Sequence, residues 1–374
     1  MSRSLIAPGK YIQGPGSIQE IGTYAAKLGS GALVVGGKTA LKLSGEAISK
    51  CLGQHKVLCH QEIFTGISSR EEIERLKALA LDQKSDLIIV VGGGMAIDAG
   101  KVVAHDLKVP VIVVPTIATT NAPCSAMSVI YSEQGDLLEY LELDRNPDCV
   151  LVDTAYIAQS PAQFLVAGMG DALATYWEAD TCTRNGVPHE VTGTTHPTRA
   201  ALALARLTYD TLIEFGLQAK LAAERKVVTP ALEAIVEANT LTSGIGFENL
   251  GHAGAHSIHN GLLKANSRER KMHGEIVAFG VLTQLVLEGR AASDIREVQE
   301  FCSQVGLPIC LADLGIIDPL PSDMSPVAEV ACAEGESIHS TWFKVSPPDV
   351  EAAIWTADSL GEQYKKERTS LSHS

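Results

Sequence analysis

The sequence predicts an α/β protein in which an N-terminal domain built on a parallel sheet precedes an all-helical C-terminal domain. Three observations carry this. Residues 30–155 alternate short β-branched runs with amphipathic helical stretches. Near residue 160 the strand signals fade and long Ala/Leu/Glu-rich segments take over. At 374 residues the chain also exceeds the length at which one core is comfortable. The boundaries read from this pattern are 1–160 and 161–374.

In chain order, ALVVG (32–36), KVLC (56–59), DLIIVVGGG (86–94) and VPVIVVPT (109–116) are the strands, bounded by Gly, Pro or polar residues. The segment SSREEIERLKALALDQKS (68–85) is a helix, with Ser and Glu in capping-box spacing and apolar positions recurring at three and four. Continuous apolar strands between such helices indicate a parallel sheet covered on both faces. Beyond the boundary, residues 197–245, 269–291 and 294–305 read as helices. No internal repeat interrupts the pattern.

Composition narrows the function. Apolar residues make up 45% and charged residues 20%, which describes a large core. No apolar run reaches the roughly 18–20 residues that span a bilayer. The start, MSRSLIAPGKYIQGPG, carries no secretion signal, so a cytoplasmic location is expected. Eight cysteines scattered without a C-x-x-C fit a reduced compartment. A net charge of −14 argues against nucleic acid, and the KKER cluster at 365–368 reads as a solvated helix end. The expected partner is a small molecule, together with copies of the chain itself.

Four motifs could carry chemistry. In VVGGGMAIDAGK (90–101) a strand runs into three glycines and then a helix, an arrangement suited to pyrophosphate. It matches neither the dinucleotide fingerprint, which needs Gly where Ile97 stands, nor the Walker pattern, which fails at Met95 and Val102. A ligand-free tight turn would also use glycines. Next, VPTIATTNAPCSAMSVIY (114–131) leaves a strand with Thr116, Thr119, Thr120 and Ser125, hydroxyls that could line a channel. Third, Asp171 sits in the apolar run AGMGDALATYWEAD, either as a metal ligand or as a helix N-cap after Gly168 and Gly170; on residues alone both readings stand. Fourth, His252, His256 and His259 have spacings of four and three and could share one helix face, with His273 shortly after. One Asp and two His would make three ligands with an open position, as in a catalytic zinc site.

At GGGMAIDAGK, AGMGDALATYWEA, VVTPALEAIVEANTLTSGIGFE, GAHSIHNGL and MHGEIVAFGVLTQLVLE the sequence resembles the metal-dependent, iron-containing type of alcohol dehydrogenase, and among them those acting on glycerol. The likeness runs from APGKYIQGPGSI to ACAEGESIH at 331–339. It implies a nucleotide-binding α/β domain followed by a helical domain, an architecture shared with dehydroquinate synthase. It also implies metal ligands at Asp171, His256 and His273, which are then the catalytic centre. His259 matches a family histidine near the substrate that is not a ligand and could relay a proton; His252 matches nothing. Many iron-type relatives carry a further His four residues after the Asp. Here that position is Thr175, which points to zinc, with ferrous iron the alternative. The implied reaction is hydride transfer between a small polyol, glycerol to dihydroxyacetone, and NAD(P), with zinc lowering the pKa of the substrate hydroxyl. The candidate cofactor-binding residues are Gly37, Gly93, Gly94, Met95, Asp98, Thr116, Thr119, Ser125, Met127 and Tyr131. By the same analogy the chain assembles into octamers or dimers.

Two departures shape the expectation. The family strand ends in Gly-Asp, whose Asp bonds the adenine ribose; here Gly36 and Gly37 precede Lys38. Repulsion of a 2′-phosphate is lost, so NADP competes with the favoured NAD. Where glycerol-acting relatives have an Asp in the substrate loop, this chain has Asn121, uncharged and able to donate as well as accept, which could shift the preferred alcohol. Met95 replaces a Lys common in the turn. The alternatives are a relative acting on another small diol or hydroxy-carbonyl compound with NADP, a lyase resembling dehydroquinate synthase, and a non-catalytic binding protein.

Overall fold

The computed structural model describes residues 2–372. The chain forms two compact units, one of residues 6–165 with 221–248, the other of residues 1–5, 166–220 and 249–374.

The first unit holds a six-stranded, wholly parallel sheet. Its strands are β1 (Tyr11–Gly14), β2 (Gly31–Gly36), β3 (Leu58–Ile63), β4 (Leu87–Gly92), β5 (Val111–Pro115) and β8 (Cys149–Asp153), in the order β1-β8-β5-β4-β2-β3. Strands β2, β4, β5 and β8 are buried along their whole length, which explains their unbroken Val, Ile and Leu. An antiparallel hairpin, β6 (Met127–Tyr131) with β7 (Leu137–Glu142), begins inside the hydroxyl-rich stretch 114–131. Helices α1 (Lys38–Gln54), α2 (Arg70–Asp82) and α3 (Gly94–Leu107) connect the strands. At α2 the cap is only half a box: Ser69 Oγ accepts the Glu72 amide at 3.2 Å. The Glu72 carboxylate turns instead to the Thr65 amide and Arg75.

Residues 197–245 read as helical from sequence, and the chain breaks that stretch into several elements. Helix α5 spans Arg199–Glu224, and Lys226 then takes a left-handed conformation. Thr229 Oγ1 caps a new helix, α6 (Pro230–Glu237), whose proline occupies the first turn where no amide is needed. A π-helical turn, Ala238–Thr242, leads into α7 (Ser243–Leu250). Residues 221–248 belong with the sheet because polar side chains tie them there. Gln13 donates to the Glu233 carbonyl and carboxylate, the Tyr11 and Thr240 hydroxyls are 2.8 Å apart, and Asn239 donates to the carbonyls of Ala118 and Leu165.

Among the described residues of the second unit, the regular elements are helices apart from a two-residue parallel bridge of Arg3–Ser4 with His196–Pro197. Its site-bearing helices are α4 (Ala162–Asn185), α8 (Gly254–Leu262) and α9 (His273–Leu287). Among the described residues no helix is long and apolar enough to cross a membrane. All eight cysteines are free thiols.

Candidate functional site

The helical unit brings Asp171, His256 and His273 together, with one ligand atom from each within 4.8 Å of the others. Asp171 is mid-helix in α4, nine residues past its start, so it is no N-cap. His256 lies in the first turn of α8, and His273 is the first residue of α9. Close helix contact makes this convergence possible. A Cβ on Gly274 would come 1.8 Å from the Ala167 carbonyl oxygen, and one on Gly170 2.1 Å from that of Gly274. Only glycines beside the two ligand positions let the backbones meet.

Asp171 Oδ1 is 3.5 Å from Nε2 of His256 and 3.3 Å from Nε2 of His273. Ligand atoms bound at 2.0–2.1 Å around a tetrahedral ion stand roughly 3.3 Å apart, so the spacing fits zinc. The side-chain exposures, 3%, 19% and 46% for Asp171, His256 and His273, describe a floor, a wall and an open rim. Burial opposes a charge on His256, but Glu178 and Asp171 outweigh it and push the imidazole up to about 10. Burial also acts against the Asp171 carboxylate, yet the two imidazoles hold it well below the usual carboxylate range. A buried anion between two imidazole nitrogens is a cation-binding arrangement.

His259 lies on α8 with its ring buried, and its Nε2 is 3.0 Å from Nδ1 of His273. Burial first, and then neighbouring His273, hold it well below the usual imidazole range. His252 is not on the helix face shared by the other two, because α8 begins only at Gly254. Its Nδ1 faces Glu190 at 3.4 Å.

In the sheet unit Gly37, Gly93, Gly94, Thr116 and Thr119 follow the carboxyl ends of neighbouring strands, where ligands of open α/β sheets bind. Gly37 follows β2 and precedes α1. Gly92 closes β4 with φ +151°, and Gly93 and Gly94 open α3. Space there is tight, since a Cβ on Gly93 would lie 2.8 Å from Ile117 and one on Gly94 3.3 Å from Thr120. The Thr116 amide donates to the Gly92 carbonyl, fixing the two loops side by side. Thr116 and Thr119 are half-buried, and Met95 is exposed on the first turn of α3. Met127 and Tyr131 are half-buried in β6. Asn121 donates to Ser243 Oγ at 3.3 Å.

Asp98 and Ser125 are placed differently. Asp98 is buried beneath α3, with Oδ1 3.2 Å from Lys101 Nζ, and burial raises its carboxyl pKa against the pull of that lysine. Ser125 is buried, its carbonyl 3.3 Å from the same amine. Lys101 also donates to the carbonyls of Ala122 and Met127, so one buried cation shapes the whole 122–127 loop. Sequence reading passed over Lys101, Glu178 and Glu248. Glu178 had a usable signal, standing seven residues after Asp171 and therefore on the same face of α4. Glu248 accepts from the Ala126 amide and Asn146, and burial pushes it up to about 8.

A parallel-sheet unit with a glycine turn at the strand ends, joined to a helical unit bearing an Asp-His-His cluster, defines a class of metal-dependent oxidoreductase. The sequence model described as iron-containing alcohol dehydrogenase matches residues 8–154. The glycerol dehydrogenase of Citrobacter freundii is 46% identical over 97% of this chain and 99% of its own. Glycolaldehyde reductase of Halobacterium salinarum is 42% identical over 96% and 98%. The crystal structure of a probable glycerol dehydrogenase from Sinorhizobium meliloti superposes with a TM-score of 0.90 at 42% identity, covering 97% of this chain and all of that one. The chain belongs to the iron-containing alcohol dehydrogenase family and is an oxidoreductase.

Proposed function

We propose that the protein oxidises glycerol, or a similar small vicinal diol, to the hydroxy-ketone by hydride transfer to a nicotinamide dinucleotide. The observation that carries this reading is the convergence of Asp171, His256 and His273 at zinc-like spacing in a chain so close to glycerol dehydrogenases. Zinc held by these three would act as a Lewis acid, lowering the pKa of the substrate hydroxyl. Asp171 would supply the negative charge that holds the cation, and the half-exposed His273 marks the side open to substrate. The sheet unit is the dinucleotide-binding domain: Gly93 and Gly94 allow backbone amides to approach the pyrophosphate at the start of α3. Thr116, Thr119, Met127 and Tyr131 line the approach, and Asn121 tunes which alcohol is preferred. Asp98 and Ser125, engaged with Lys101, act on the cofactor by shaping that loop.

NAD is the favoured cofactor. At Gly37 the missing carboxylate leaves NADP acceptable, and exposed Lys38 offers it a cation. The likeness to glycolaldehyde reductase supports a second reading, reduction of a small hydroxy-aldehyde at the same site. A spectrophotometric screen tests both, with NAD and NADP against glycerol, 1,2-propanediol and 2,3-butanediol, and the reduced cofactors against glycolaldehyde and dihydroxyacetone. Turnover of glycerol or a vicinal diol is expected. No change in nicotinamide absorbance with any of these compounds would refute the proposal.

A further inference from the structure

The two histidines of the cluster present the same nitrogen, Nε2, to Asp171. A neutral imidazole donates electrons from one nitrogen only, so the other must carry the proton, and the partner of that other nitrogen decides which is which. For His256 the partner is Glu178, fully buried on α4, whose Oε2 is 2.7 Å from Nδ1. Its other oxygen accepts the amides of Ala253 and His256 at 2.9 and 3.1 Å. A carboxylate so engaged can only accept from His256 Nδ1, so Nε2 is the nitrogen that gives up its proton to a metal ion.

For His273 the chain of partners begins further out, at Glu336. The Glu336 carboxylate accepts from Asn260 Nδ2 at 3.2 Å, which turns Asn260 Oδ1 towards His259 Nδ1, 3.1 Å away. His259 Nδ1 therefore carries its proton and Nε2 is the acceptor. That acceptor faces His273 Nδ1 at 3.0 Å, which must donate, leaving Nε2 of His273 for the metal as well. Both rings end in the same tautomer by independent routes, His256 held directly by a carboxylate and His273 through two neutral side chains that lead to one.

We infer that Glu178 and His259 are positioning residues that hold His256 and His273 in the metal-ligating tautomer, and that His259 serves in this way and not as a proton carrier. The inference rests on the zinc reading above. Glu178, His252 and His256 could also gather around a second cation. That would need His256 Nδ1 bare, whereas a hydrogen-bonded Glu178 already claims its proton.

The test is zinc affinity, measured by competition with a chromophoric chelator on the full chain. In Glu178→Gln the amide can keep its oxygen on the two backbone amides only by aiming its NH2 at His256 Nδ1, which forces the proton onto Nε2. Affinity should fall by about 10–100-fold. His259→Leu removes the acceptor for His273 and should weaken binding by a smaller factor. His259→Gln, which places an amide oxygen near the lost Nε2, should restore most of it. Near-ultraviolet circular dichroism reports whether each variant is folded, and the Leu/Gln pair carries the test if Glu178→Gln is not. Wild-type affinity in folded Glu178→Gln, or equal affinities in His259→Leu and His259→Gln, would overturn the inference. A wild-type chain that takes up no zinc, or an Asp171→Asn chain that takes up as much, would instead remove the site reading beneath it. Two zinc ions per chain, with one lost in Glu178→Gln, would favour the second-cation alternative and also overturn the inference.

Discussion

At single residues, the chemistry was most legible where a polar group interrupts an apolar helix. Asp171 stands in such a run, and its position nine residues inside α4 removes the capping alternative that sequence leaves open. Asp171→Asn should abolish zinc binding and lower kcat by at least about 100-fold, the order expected when a main electrostatic stabiliser is lost. Retained metal and rate in a steady-state assay would count against that role. Gly37 permits a gain-of-preference test. A side chain there meets nothing within 4 Å, and φ is −59°, so Gly37→Asp introduces the ribose-binding carboxylate without strain. The ratio of kcat/KM for NAD over NADP should rise by about tenfold or more, the effect of roughly 1.4 kcal/mol. An unchanged ratio would show that the cofactor is chosen elsewhere. The three clustered histidines were less legible: spacing cannot show that α8 starts after His252, because Gly251 and Ala253 carry no strong cap signal.

At the level of elements, buried strands announced themselves and connections did not. The runs in β2, β4 and β5 are apolar throughout because both faces are covered. Strand β1, with its Gln and Gly, lacks that signature, and β6 hides in a stretch whose Thr and Ser suggest a loop. Helix contact around the metal cluster gives a prediction of its own. Gly274→Ala drives a methyl into the Ala167 carbonyl, and overpacking of this kind costs about 1–3 kcal/mol or more. The urea midpoint should fall and zinc affinity with it, as α4 and α9 separate. By contrast, Gly53→Ala, near the end of α1 with nothing within 4 Å of the new methyl, should stabilise the chain by about 0.4–1 kcal/mol and raise the midpoint slightly. Equal midpoints for the two variants would contradict this account of the helix contact.

Across the whole molecule, the two-part architecture was visible in the change of periodicity, whereas the return of residues 221–248 to the sheet unit was not. That return depends on single polar contacts, Gln13 with Glu233 and Asn239 with Ala118, which no hydrophobic pattern encodes. Glu248 ends this returning segment and sets a pH dependence. Its carboxyl is raised by burial to about 8, above the ordinary glutamate value, so between those two points the folded chain binds the extra proton. Stability should therefore decline as pH rises through about 8, and Glu248→Gln should flatten that decline in thermal melts. A wild-type melt independent of pH from 6 to about 9 would argue against a protonated Glu248. The central claim, that Asp171, His256 and His273 hold the catalytic metal, is tested most directly by stripping the wild-type and Asp171→Asn proteins with a chelator and adding back zinc during glycerol oxidation with NAD. Loss of reduced-nicotinamide formation on stripping, restored by zinc in the wild type alone, is the predicted result; full activity in the stripped wild-type protein would contradict it.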